Sequence, residues 1–345
     1  MSDRFSRREI LALLPTSFLL YWFLDSDSNS FVAPTQIDSQ ARTDALRPIP
    51  GGVAVSDDDK LRGTLSGGVV GPNGEDAVLT NRHLIDDTFC SGESDELIGT
   101  EIFQPYRTNS DESRIGTVID AGKTGGLSST DWALIELDQS NEWTDEILGI
   151  GSIGSSTAPS RGDRIVMSGI RSGVLGGVLE ETAVSRRSYG CHFDNLLRYQ
   201  VDEGVRTDGN SGSLVGHFES GEFRPIGIHS FSDDRGLYAV PITDVTQQGI
   251  SIGSSSSATP AAPDTLSRIE GTIISYDSGT TTATVHLSNV GGESGTRTVE
   301  TTHTDGDTVD TQQVTLAPLE TTQISMLSPS SVILDTGDST RLIDL

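Results

Sequence analysis

The stretch Thr207-Asp208-Gly209-Asn210-Ser211-Gly212-Ser213-Leu214-Val215 holds a serine close to two glycines, with an apolar run behind it. A serine hydroxyl is too weak an acid to attack a carbonyl unaided. It needs a base to take its proton and backbone donors for the oxyanion that follows. The glycines serve the second need: with no Cβ at Gly209 or Gly212, the chain can turn tightly around Ser211 and bring the Gly209 and Ser211 amides to one point. Taken alone, the string reads equally as a surface turn, where Gly, Asn and Ser are favoured for positive φ and local hydrogen bonds.

Two upstream stretches separate these readings. Ala77-Val78-Leu79-Thr80-Asn81-Arg82-His83-Leu84-Ile85 starts apolar and carries a late histidine, the pattern of a strand that delivers an imidazole to a loop edge. Asp131-Trp132-Ala133-Leu134-Ile135-Glu136-Leu137 sets an aspartate at the mouth of a strand in which Trp132, Leu134 and Glu136 alternate with Ala133, Ile135 and Leu137. Singly, His83 reads as a core or surface histidine and Asp131 as a cap. Jointly with Ser211 their roles close. His83 takes the serine proton, and Asp131 holds the imidazole in the right tautomer and stabilises the imidazolium.

On these motifs the chain resembles the chymotrypsin-like serine peptidases, whose triad runs His, Asp, Ser, here His83, Asp131 and Ser211. The likeness extends to Arg47-Pro48-Ile49-Pro50-Gly51-Gly52-Val53 followed by Gly63-Thr64-Leu65, which look like the opening of bacterial trypsin-like domains. Ser168-Gly169-Ile170-Arg171-Ser172-Gly173 resembles their strand and turn before the nucleophile. The resemblance implies an all-β chain with two Greek-key barrels and the triad in the cleft between them. It also implies a protein or peptide substrate, and an oxyanion hole made by the Gly209 and Ser211 amides.

Specificity follows from the same resemblance. Pro225-Ile226-Gly227-Ile228-His229-Ser230-Phe231-Ser232 looks like the strand lining the pocket for the residue before the cleaved bond. Gly227-Ile228-His229 is similar to the glutamyl endopeptidases, in which a histidine at this position helps bind an acidic side chain. The expected substrate-binding residues are therefore His229, Ser230, Ser232 and Arg206. Arg206 stands where a hydroxyl residue is usual; it is either a bidentate partner for a carboxylate or a solvent-facing side chain. The aspartate of Lys/Arg-specific members is absent near Val205, which counts against that specificity.

Around this centre the chain divides. Met1 to Arg8 is polar with three arginines, and Ile10 to Leu24 is apolar and uncharged, the layout of a signal segment over residues 1–24. A helix of about fifteen residues reaches about 22 Å, short of the ~30 Å hydrocarbon core, so export is favoured over a spanning helix. Ser6-Arg7-Arg8-Glu9-Ile10-Leu11 resembles a twin-arginine signal, with an ordinary basic leader as the alternative. Phe31-Val32-Ala33 is a poor cleavage site, which leaves open an uncleaved membrane anchor on an extracellular or cell-surface protein. Residues 25–46 read as a spacer or pro-segment and 47–250 as the peptidase domain. Residues 251–264 form a Ser- and Pro-rich linker, flexible where serine dominates.

Residues 265–345 are Thr-rich, and five or so alternating runs suggest a small β-sandwich. Within it Val285-His286-Leu287-Ser288-Asn289-Val290-Gly291, followed by Ser294-Gly295-Thr296, resembles CARDB-like and other immunoglobulin-like accessory domains, which implies either cell-surface attachment or a generic β-sandwich with no binding role. His286 sits in this pattern as a surface residue.

The 345 residues carry 50 acidic and 23 basic side chains, a net charge of −27, with lysine only at positions 60 and 123. Such a charge repels itself unless salt screens it, and at molar salt the Debye length is ~3 Å. The composition therefore suits a halophilic setting. It also excludes a nucleic-acid partner, which requires a basic face. Cys90 and Cys191 can pair in an exported protein. His192, beside Cys191, reads as local polar surface. No Cys/His spacing suits a metal and no cofactor motif is present; three adjacent carboxylates at Asp57-Asp58-Asp59 cannot all converge on calcium. The reading is a serine endopeptidase. Its rivals are an exported, non-catalytic surface-binding protein and a peptidase that processes only itself.

Overall fold

The computed structural model describes residues 40–58, 62–86, 89–90, 97–108, 113–124, 128–202, 207–219, 222–253, 267–328, 331–338 and 340–344. The signal segment, most of the spacer, Arg206 and most of the linker lie outside the described residues. Among the described residues no helix is long and apolar enough to cross a membrane.

The chain is all-β. Its first sheet comprises β1 (Gly67–Val70), β2 (Asp76–Thr80), β3 (Glu101–Phe103), β4 (Arg114–Ala121) and β5 (Ala133–Leu137) in the antiparallel order β1-β2-β5-β4-β3. A short ladder of Ala54–Val55 on Gly63–Thr64, with a bridge from Ser56 to Phe103, curls the sheet round on itself. The alternation read in β5 has a physical cause. Ala133, Ile135 and Leu137 face the core of this barrel, while Trp132 and Leu134 face a second core, which also takes in Val166, Leu214 and Ile228 of the next barrel. Both faces are apolar because both are covered, and only Glu136 is exposed.

Next come β6 (Arg164–Gly169), β7 (Gly173–Ser188), β8 (Cys191–Val201), β9 (Leu214–Glu219), β10 (Glu222–Asp233) and β11 (Gly236–Pro241). They close into a barrel in the order β6-β7-β8-β11-β10-β9, with Val166 and Met167 paired back onto Gly216 and Val215. Its interior is filled by Ile165, Met167, Leu175, Leu197, Val215 and Ala239 among others. The expected linker begins as structure: β12 (Ser251–Ile252) pairs with Val70 and Val69 and extends the first sheet.

The sandwich has seven strands among the described residues, against the five or so expected. One sheet is β13 (Ile269–Asp277), β14 (Thr282–Asn289) and β17 (Thr321–Leu327). The other is β15 (Gly295–His303), β16 (Thr308–Leu316), β18 (Ser331–Asp335) and β19 (Thr340–Asp344), in the order β16-β15-β18-β19. The two unexpected strands, β18 and β19, complete the core with Val332, Leu334 and Ile343. The sandwich packs against the barrels. Ile274 joins the inter-barrel core, and Val290 joins the first barrel's core beside Leu46 and Leu148. His286, expected at the surface, is buried: its Nε2 lies 3.0 Å from the Gly149 carbonyl oxygen and its ring packs on Phe218. Docking against the barrel covers the strand face that the alternation alone would expose.

Candidate active site

Register brings the triad segments together. β2 pairs with β5 through Thr80 and Ala133, so the turn after β2 and the residues before β5 lie at the same sheet edge. That turn is a single 3₁₀ turn, Arg82–Leu84, carrying His83; Asp131 stands just ahead of β5. His83 Nδ1 is 2.7 Å from Asp131 Oδ2, and the His83 amide donates to Asp131 Oδ1 at 3.0 Å. Asn81 Nδ2 donates to the Asp131 backbone oxygen at 2.7 Å, and the Ser230 hydroxyl donates to Asp131 Oδ2. Asp131 is fully buried. Burial alone would raise its pKa, but attraction to His83 and hydrogen bonds from the His83 ring, Ser230 and the His83 amide outweigh this and hold it below the usual carboxylate range. Asp131 is thus a buried anion held against the His83 ring and amide.

The nucleophile loop is clamped between the barrels. The Thr64 amide donates to the Ser211 carbonyl (2.8 Å), and the hydroxyls of Thr64 and Ser66 donate to the carbonyls of Gly209 (3.0 Å) and Gly212 (2.5 Å). On the other side the Gly212 amide donates to His229 O at 2.9 Å. Gly212 has φ +96°, and a Cβ there would fall 1.9 Å from Thr64 O, so no other residue fits. Asn210 is buried, its Oδ1 accepting from the amides of Arg171 and Ser172 and its Nδ2 donating to Ser172 Oγ. The amides of Gly209 and Ser211, in contrast, donate to no group among the described residues. The Ser211 hydroxyl donates to the Ser230 backbone oxygen at 2.9 Å.

These groups border a cleft of about 430 Å³ lined by His83, Tyr189, Gly209, Ser211, His229 and Ser232 among others. His229 is buried, with Nδ1 2.7 Å from the Tyr199 hydroxyl, which also lies 3.6 Å from Met167 Sδ. Burial pushes the Tyr199 phenol well above 10, so it keeps its proton. Burial, aided by the charge of His83, pushes His229 down to about 4, so its ring is neutral at pH 7. The phenol and His229 Nδ1 share one hydrogen bond, and the His229 ring is also hydrogen-bonded to the Tyr238 backbone.

Of the expected substrate-binding residues, His229 and Ser232 line the cleft. Ser230 does not: its hydroxyl is spent on Asp131. Arg206 lies outside the described residues. Cys90 and Cys191 form a disulfide with Cα atoms 5.2 Å apart. His192 pairs with Asp194 at 3.1 Å, and Asp57 and Asp58 pair with Arg62. Sequence reading did not single out Tyr199 or Tyr189. Tyr189, at the tip of the β7–β8 hairpin, stacks on the His83 ring at 4.8 Å; its only sequence signal was its place beside Gly190 and Cys191 in a turn.

No family model matches the chain, and no curated protein matches it. Solved structures do. Thermobifida fusca Protease A is 16% identical, with 60% of this chain and 99% of that chain covered and a TM-score of 0.44. Cellulomonas bogoriensis chymotrypsin is 18% identical over 60% of this chain and 99% of its own, with a TM-score of 0.43. A glutamic acid specific serine protease that uses a histidine triad in substrate binding is 18% identical, covering 59% of this chain and 100% of that one at a TM-score of 0.44.

Proposed function

We propose that this protein is a serine endopeptidase, with Ser211 as nucleophile, His83 as general base and then acid, and Asp131 as the residue that orients His83. The observation that carries the reading is the buried Asp131 bonded to both the ring and the amide of His83, in one cleft with a serine flanked by unengaged amides. For reaction, the Ser211 hydroxyl swings from Ser230 O to His83 Nε2. Its oxygen bonds to the scissile carbonyl carbon while the proton passes to His83. The Gly209 and Ser211 amides receive the oxyanion. Collapse breaks the C–N bond, His83 protonates the leaving amine, and water repeats the sequence on the acyl-enzyme.

The finer proposal is a preference for an acidic residue before the cleaved bond. His229 lines the cleft with a neutral imidazole that can hydrogen-bond a substrate carboxyl group, which an apolar side chain cannot match. Export and a halophilic setting belong to the same proposal and rest on the N-terminal segment and the acidic composition.

The test is digestion of a mixed peptide library in molar salt by the parent and Ser211→Ala. Cleavage after Glu or Asp by the parent alone is expected, with Ser211→Ala losing at least about 10³-fold in kcat. Cleavage elsewhere would keep the peptidase and remove the acidic pocket. No cleavage by a folded parent would favour a binding protein.

A further inference from the structure

One buried charge cluster joins three distant parts of the chain. Arg42, in the expected spacer, and Glu270, in sandwich strand β13, are each about 1% exposed and meet at 2.7 Å. Arg42 Nη1 donates to Gly52 O, Leu148 O and Ser168 Oγ. Glu270 Oε2 also accepts the Val174 amide at 2.9 Å, and Oε1 lies 3.3 Å from Arg268 Nε. Gly173, at φ +64°, allows this approach: a Cβ there would lie 2.5 Å from Glu270 Oε2.

The segment held by this cluster leads directly to the nucleophile loop. Ser168 is the penultimate residue of β6, before the turn to β7, and Val174 is the second residue of β7. Between them the amides of Arg171 and Ser172 and the Ser172 hydroxyl bind the Asn210 side chain. Asn210 lies between Gly209 and Ser211, whose amides are the expected oxyanion donors. A two-cation environment and the Val174 amide keep Glu270 ionised: burial would raise its pKa, but Arg42 and Arg268 outweigh it.

We propose that Glu270 of the C-terminal sandwich is a positioning residue for the oxyanion hole, acting through Val174, the 169–174 turn and Asn210. The sandwich is then part of the catalytic framework rather than an appended attachment module. The inference rests on the peptidase reading above.

The test compares Arg42→Met/Glu270→Leu with Arg42→Met/Glu270→Gln. Both remove the ion pair, and a buried pair replaced by groups of similar volume generally leaves a folded protein. Only the glutamine keeps an acceptor for the Val174 amide. The leucine variant is expected to lose about tenfold or more in kcat with KM within about threefold, because a misaimed donor weakens the transition state more than the ground state. A peptidyl trifluoromethyl ketone built on the parent's best cleavage site, whose adduct places an oxyanion in the hole, should lose affinity by a similar factor. The cleaved product peptide should not. The glutamine variant should match the parent in all three.

Equal kcat in the two double variants overturns the proposal while leaving the peptidase reading intact. A parent as inert as Ser211→Ala overturns both. Should the leucine variant not fold, Gly173→Ala displaces the Glu270 carboxylate without removing a charge. It should show the same kcat-selective loss, and a parental kcat there sinks the idea.

Discussion

Ser230 touches the triad twice, donating through its hydroxyl to Asp131 and accepting the Ser211 hydroxyl through its carbonyl. Ser230→Ala removes one of the hydrogen bonds that hold Asp131 low. A hydrogen bond to a charged group contributes roughly 1.5–3 kcal/mol, so kcat should fall about tenfold or more. The same variant tests the sign of the pKa shift. A carboxylate depressed in the folded state stabilises it above the unfolded pKa of about 3.9, and that contribution disappears as pH falls through the folded value. The acid-unfolding midpoint, followed by circular dichroism, should therefore move up in Ser230→Ala. Tyr199→Phe removes the hydroxyl hydrogen-bonded to His229 Nδ1. It should cut kcat/KM about tenfold for acidic residues before the cleaved bond and leave other peptides near the parental rate. His83, Asp131 and Ser211 were legible as candidates because each lies in a local motif. Tyr199 was not, since thirty residues separate it from His229.

At the scale of elements, the β7–β8 hairpin carries Tyr189 over His83 and is tied at Cys191 to the loop after the histidine. The disulfide spans a separation of 101 residues, a closure contributing about 4.7 kcal/mol in the chain-entropy model. Cys90→Ser/Cys191→Ser should lose several kcal/mol in urea unfolding, and reductant should change the parent but not the variant. An unchanged parent would mean the reduced chain keeps the same constraint. Strand β5 was legible from its alternation, whereas the cover on both of its faces emerged only with the second barrel. The length of the β7–β8 hairpin was not, because exposed β-strand residues such as those at 180–188 carry little apolar pattern.

At the scale of the whole molecule, the sandwich and the barrels share buried contacts. Two buried histidines, His229 in the barrel and His286 in the sandwich, are both driven down to about 4, burial being the main cause. A base with a depressed folded pKa binds its proton first in the unfolded chain, so stability is full above about 6.5 and falls as pH drops toward 4. The loss reaches roughly 3 kcal/mol per histidine over that window. His286→Leu should remove its share, giving a flatter dependence of unfolding free energy on pH; an unchanged slope would place the titration elsewhere. Truncation after residue 253 would leave Arg42 buried without Glu270 and uncover the site of Ile274. The truncated chain should melt lower and less cooperatively than the parent in calorimetry.

By itself the sequence determined the all-β class, the order of the His, Asp and Ser motifs and the alternation in β5, because each depends on residue types and periods a few positions apart. Only the tertiary structure decided which way Ser230 points, what partners His229, that β18 and β19 complete the sandwich, and that His286, Leu46 and Arg42 are interior. Those outcomes turn on which surfaces meet across separations as large as the 228 residues between Arg42 and Glu270. A polar side chain in a strand or spacer looks solvent-facing until another layer covers it. Burial then makes its hydrogen bonds obligatory, and the site is built from that requirement.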